Sequence, residues 1–152
     1  MKHIGLACLL MPFLGWNTLA DLRGRQISFL SVILYGAIGI AMLFGSAGKE
    51  LLLFQSGNIY VHVAGAVFGL LLLVLSFGTG GAIGAGDALV AIVLGWYLGI
   101  YRTLLLFLLA FLLAGLLGSL LLVIKRAGRK SRLPMQPFIL LAYVVLLAAE
   151  AL

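Results

Sequence analysis

Apolar residues in this chain come in runs broken by short clusters of glycine, serine and basic residues, and the lengths of the runs decide the elements. An α-helix rises about 1.5 Å per residue, so about 20 residues cross a hydrocarbon core of ~30 Å. Six runs approach that length: residues 4–20, 27–45, 58–77, a fourth that starts within 78–86 and ends near 101, then 103–124 and 135–152. The pattern predicts an all-α membrane protein, a six-transmembrane-helix bundle that fills residues 1–152 as a single domain. The fourth run is the shortest, with fourteen residues counted from Ala88, unless the glycines before it lengthen the span. Small residues at helical spacing, Gly65/Gly69, Gly95/Gly99 and Ala110/Ala114, predict close helix crossings, because lipid supplies no hydrophobic drive for helices to associate.

Composition agrees and excludes much else. Of 152 residues, 64% are hydrophobic and 9% charged, against about a quarter charged in soluble domains. A water-soluble fold of this size would expose large apolar patches, which rules out cytosolic enzymes, nucleic-acid binders and secreted scaffolds. The net charge of +6 does not bring nucleic acid back. Five of the ten basic residues, Lys125, Arg126, Arg129, Lys130 and Arg132, crowd into one loop between apolar runs, as cytoplasmic loops do beside anionic lipid. With Arg23 and Arg25 on the same side, seven basic residues face the cytoplasm and three (Lys2, Lys49 and Arg102) face away, which predicts both termini non-cytoplasmic. A signal peptide cleaved after Thr18-Leu19-Ala20 would leave five spans in the same orientation.

Little other chemistry is on offer. Cys8 is alone, so neither an intrachain disulfide nor a CxxC metal site can form. His3 and His62 make no HExxH-like pair and read as interfacial or loop histidines. Ser46, in Gly45-Ser46-Ala47-Gly48, has no evident base and reads as a turn residue. Trp16, Trp96, Tyr97 and Tyr101 fall near predicted helix ends, where an interfacial aromatic belt accounts for them.

The acids are more informative, because a charge near the membrane core is costly. Glu50 adjoins Lys49 in a predicted outer loop and Glu150 is near the last residue, so both read as solvated. Asp21 stands where the first helix meets its cytoplasmic loop, and Asp87 follows a glycine run at the cytoplasmic start of the fourth helix. The topology therefore puts both at one depth on one face. Two carboxylates brought together cannot both ionise readily, so one keeps a proton. That is the state an aspartic peptidase uses: the charged group takes a proton from water while the protonated one bonds the scissile carbonyl, with no metal and no organic cofactor. On spacing alone an equal case exists for Asp21 pairing with Arg23 or Arg25 and for Asp87 capping its helix.

The local motifs shift the balance. Gly84-Ala85-Gly86-Asp87 is a GxGD motif, and Asp21-Leu22-Arg23-Gly24-Arg25-Gln26-Ile27 is an Asp-Leu-Arg-x-Arg-x-Ile opening, with 65 residues between the two aspartates. With Gly95-Trp96-Tyr97-Leu98-Gly99 after the second aspartate, this stretch resembles the type IV prepilin peptidases, polytopic aspartic proteases of bacterial pilus and type II secretion systems. The resemblance implies catalytic roles for Asp21 and Asp87. It also implies that Gly84 and Gly86 shape the site by letting a substrate backbone approach. It further implies prepilin or pseudopilin substrates, cut at a glycine after a short basic leader on the cytoplasmic side of the bacterial inner membrane.

Two positions depart from the family pattern. Ser28 follows Ile27 where relatives often read Ile-Pro-Asn, and Leu89 stands where GxGDxK would put lysine. The likeness is to the short, peptidase-only form of Flp/Tad-type pilus systems, without a methyltransferase domain, which implies cleavage without methyl transfer. Presenilin-type GxGD proteases fit less well, since Asp21 follows Ala20 rather than a tyrosine. A small channel or transporter binding protons or cations at the two aspartates, or an inactive assembly subunit, are the alternatives.

Overall fold

The computed structural model describes residues 3–24, 28–44, 58–79, 84–124 and 134–151, and among these the regular structure is helical throughout. The elements are α1 (His3–Gly24), α2 (Phe29–Phe44), α3 (Ile59–Gly78), α4 (Ala85–Val123) and α5 (Gln136–Ala151). Three helical segments are long and apolar enough to cross a membrane, Gly5–Gly24, Ile59–Gly78 and Ala85–Leu120. Phe29–Met42 and Gln136–Ala149 are shorter apolar helices. Large apolar side chains such as Leu30, Ile33, Leu71, Val74, Phe77, Leu108 and Leu116 point outward, as a surface solvated by lipid requires.

Each helix turns a defined stripe inward. On α1 the buried positions are Leu6, Leu10, Phe13, Leu14, Asn17, Thr18 and Asp21, spaced three, four or one apart along a single face. The stripe is apolar as far as Leu14 and polar from Asn17 onward. On α5 it runs Gln136, Ile139, Ala142, Tyr143, polar at its first residue. The first half of α4 is buried on nearly every side, through Ala88, Val90, Ala91, Val93, Leu94, Tyr97 and Leu98. It is the central element, packed by α2, α3 and α5, while α1 packs on α5 and α2.

The α3–α4 contact is the closest in the fold. A side chain on Gly65 would run into the backbone of Gly95, one on Gly95 into the backbone of Gly65, and one on Gly69 into the backbone of Ala91 and Ile92. As position rises along α3 it falls along α4, so the two cross antiparallel with backbones touching. That is the use expected of the Gly65/Gly69 and Gly95 pairing.

Helix α4 is not one rod. Gly99 has φ 77° and ψ 170°, outside helical space and open to glycine almost alone. Phe107 lies about 12 Å further along the chain by helical rise, yet its ring sits 6.2 Å from that of Phe68 on α3, edge to face. Since Val61 stands beside Gly99 and Gly69 beside Ile92, the second arm of α4 folds back alongside α3 toward the level where α4 began. The predicted fourth and fifth helices are therefore two arms, but no loop parts them. Arg102, expected in a connecting loop, lies half-buried within the second arm.

Three further expectations are corrected. Asp21 is in the last turn of α1, which runs on to Gly24, rather than at a helix–loop junction. Tyr97 is fully buried and donates its hydroxyl to the Tyr35 carbonyl at 2.8 Å, so it belongs to the core and not to an interfacial belt. Trp16 and Tyr101 are exposed as such a belt requires. His62 is a buried helix residue, and its Nδ1–H donates to the Trp96 carbonyl at 2.9 Å. The break at Gly99 explains that contact, because Trp96 lies within the last turn before it, where helical carbonyls lose their i+4 partners. Ser46, Glu50 and the basic run 125–132 lie outside the described residues.

Candidate active site

Three helix ends meet at one end of the bundle: the last turn of α1 and the first turns of α4 and α5. Each contributes one polar side chain, Asp21, Asp87 and Gln136. Gln136 joins the other two. Its backbone N–H donates to Asp21 Oδ2 at 3.1 Å, and its side-chain Nε2 donates to Asp87 Oδ1 at 2.9 Å. Two carboxylates far apart in the chain are thus held by one residue.

The local sequence explains why Gln136 can do this. The carbonyl of Met135 accepts from the N–H groups of Phe138 and Ile139 at 3.1 and 3.2 Å, so Met135 caps α5 and Gln136 is its first residue. The first N–H groups of a helix have no intrahelical acceptor, which frees that of Gln136 for Asp21. A carboxylate there also lies favourably against the helix dipole. Pro137 costs nothing at the next position, since no helical bond is owed there. The Gln136 side chain is fully buried, and its Oε1 has no hydrogen-bond partner among the described residues.

Asp87 is set by the glycines before it. Gly84 caps α4, its carbonyl accepting from Ala88 N–H at 3.2 Å. A Cβ on Gly84 would stand 2.7 Å from Asp87 Oδ2, so the carboxylate leans over a surface that only glycine leaves open. One oxygen of Asp87 rests over Gly84 and the other bonds Gln136. Gly86 lies half-buried in the first turn of α4. Asp87 itself is half-buried, whereas Asp21 is 8% exposed.

Around the pair the polar layer continues. Asn17, one turn before Asp21 on the same face, donates Nδ2 to the Phe13 carbonyl at 2.9 Å and accepts from Ser31 Oγ at 3.0 Å, tying α1 to α2. The two positions that depart from the expected motifs have local roles. The Ser28 carbonyl caps α2, accepting from the Ser31 and Val32 N–H groups at 3.0 and 3.2 Å, and Leu89 packs against the apolar core. Arg23, an alternative partner for Asp21, is exposed. Among the described residues no three His, Cys, Asp or Glu side chains cluster.

Chemically the arrangement offers two carboxylates and an amide that can donate and accept, at the end of an otherwise apolar bundle. Asp21 and Asp87 both meet Gln136, and Gly84 lies against Asp87. Gln136 was not anticipated. The one signal for it is a lone uncharged polar residue between Pro134 and Pro137 at the start of the last apolar run. Compared with known families, the chain matches the model of the type IV leader peptidase family over residues 8–119. The matched stretch includes Asp21, Gly84, Gly86 and Asp87 and stops short of Gln136. Neither a curated protein nor a solved structure matches the chain.

Proposed function

The chain belongs to the type IV leader peptidase family, and from that premise we propose that it is a membrane aspartic endopeptidase. It removes the short basic leader of prepilin or pseudopilin substrates at a glycine, on the cytoplasmic face of the bacterial inner membrane. Asp21 and Asp87 are the catalytic pair. The observation that carries this reading is the shared hydrogen bonding of both carboxylates to Gln136.

In the proposed reaction one carboxylate is ionised and takes a proton from the attacking water. The other is protonated and donates to the scissile carbonyl, stabilising the oxyanion that forms. The proton gained by the first then passes to the departing amine. An extended substrate backbone needs a close approach to Asp87, and the bare surface at Gly84 leaves room for one.

The topology that suits this chemistry has six spans with both termini non-cytoplasmic. In it α4 crosses twice by reversing at Gly99, and its 39 residues, rising about 58 Å in all, are close to twice a ~30 Å core. The basic residues Arg23 and Arg25 and those of 125–132 then share the face that holds Asp21 and Asp87.

The deciding experiment is co-expression with a tagged prepilin from the same genome, reading leader removal and the mature N-terminus by mass spectrometry. Cleavage after glycine by the wild type, lost by about a thousandfold or more in Asp21→Asn and in Asp87→Asn at equal membrane accumulation, is the expected result. Processing that survives either change removes the aspartic mechanism. An unmethylated product supports cleavage without methyl transfer.

A further inference from the structure

We propose that Gln136 is a positioning residue for the two aspartates, whose side-chain amide stays bonded to Asp87 in both protonation states that hydrolysis requires. The inference rests on the peptidase reading above but concerns a residue outside the family match, which ends at residue 119.

Three observations carry it. The first is that Gln136 contacts both carboxylates through different groups: the backbone N–H holds Asp21, and the side chain holds Asp87. The second is burial. The side chain is fully enclosed, so its amide has no water-facing alternative and must be satisfied within the site. The third is that Oε1 is buried and, among the described residues, has no hydrogen-bond partner. A buried acceptor without a donor is uncommon in a native fold and asks for a reason.

The chemistry of the amide supplies one. A carboxylate only accepts, and Nε2–H serves it. A carboxylic acid must donate its O–H, and Oε1 can accept that proton after the amide turns half a revolution. Among side chains of this length, glutamine alone offers both faces without gaining or losing a charge. Lysine or arginine would hold only the carboxylate, and a glutamate would repel it. The vacant Oε1 is thus the acceptor that a protonated Asp87 would use, and no existing bond to Oε1 is lost when the amide turns. Asp21, bound by backbone, keeps its place throughout.

The test exploits the composition: Asp21 and Asp87 are the only aspartates in the chain, so carboxyl-labelled aspartate gives two NMR signals, assigned with Asp21→Asn and Asp87→Asn. Gln136→Met keeps the volume and the backbone donor and removes only the side-chain amide. Removing a donor from the charged form should move the Asp87 titration upward by about one pH unit, the tenfold change that one hydrogen bond to a charged group contributes. In the leader-cleavage assay kcat should fall about tenfold, its acid limb moving to higher pH, with KM for the prepilin unchanged.

Gln136→Glu is the second variant, expected to move both readouts the same way, should the methionine variant fail to accumulate. If the wild type cleaves, both aspartate variants are dead and neither readout moves in the Gln136 variants, the positioning role is overturned while the peptidase reading stands. If the wild type cleaves nothing but the Asp87 signal moves in Gln136→Met, the positioning role stands and the peptidase reading falls. An Asp87 titration matching the wild type in both variants overturns it regardless of activity.

Discussion

The carboxylate of Asp87 occupies the space that a side chain on Gly84 would need, an added Cβ standing 2.7 Å from Oδ2 and 3.4 Å from Cγ. Among the described residues no group other than Asp87 comes that close, so the glycine is tied to the position of one carboxyl. Gly84→Ala should therefore displace Asp87 while leaving helix packing alone. We expect kcat for leader cleavage to drop about a hundredfold, as a misplacement near 1 Å does, with the melting temperature in detergent nearly unchanged. A fully active Gly84→Ala enzyme would mean that Asp87 works from a different position.

The antiparallel crossing of α3 and α4 has backbone on both sides of the contact, and backbone cannot yield as a side-chain tip can. Gly65→Ala or Gly95→Ala should destabilise the fold by about 1–3 kcal/mol or more, read by thermal unfolding in detergent. Gly36→Ala and Gly115→Ala are the controls. Among the described residues nothing lies within 4 Å of a Cβ at either position, so each should stay within about 1 kcal/mol of the wild type. Equal losses at all four sites would argue against the close crossing.

Gly99 combines two constraints: its φ of 77° and a Val61 Cγ1 that would lie 2.8 Å from an added Cβ. Gly99→Ala should cost about 1–3 kcal/mol through the backbone alone. Adding Val61→Ala relieves the contact but not the dihedral, so the double variant should recover only part of the loss. Full recovery would assign the whole cost to the side-chain clash.

His62 supplies the donor for the Trp96 carbonyl next to the break. Replacing it by leucine leaves that part-buried carbonyl without this donor, and about 1–3 kcal/mol of stability should go with it. The change His62→Gln keeps an N–H donor on a side chain of similar reach and should retain most of the difference. Equal melting temperatures for the two variants would show that the hydrogen bond contributes little.

How far the sequence reached follows from what is local. Long apolar runs read as helices because run length and rise per residue are properties of the chain itself, and three of the helices that form are long and apolar enough to cross a membrane. The two aspartates were visible for a local reason too, since each sits in a short motif, Asp-Leu-Arg-x-Arg-x-Ile for Asp21 and GxGD for Asp87. What folding decided is which helix ends meet. Gln136 carries no mark of its own, for glutamine after Pro134 and Met135 reads as the polar start of any helix, and its two acceptors lie 115 and 49 residues away. His62 looked solitary because it bonds a backbone carbonyl, that of Trp96 in the last turn before the break at Gly99, and His62 and Trp96 stand 34 positions apart in the chain. The joining of two predicted helices at Gly99 was hidden likewise, because a glycine in an apolar run is compatible with continuing the helix or reversing it. The packing of Phe107 against Phe68 records which of the two the chain took. Composition and periodicity determined the elements and named the two acids. Contacts between distant segments, which no single segment encodes, determined that those acids share a third residue.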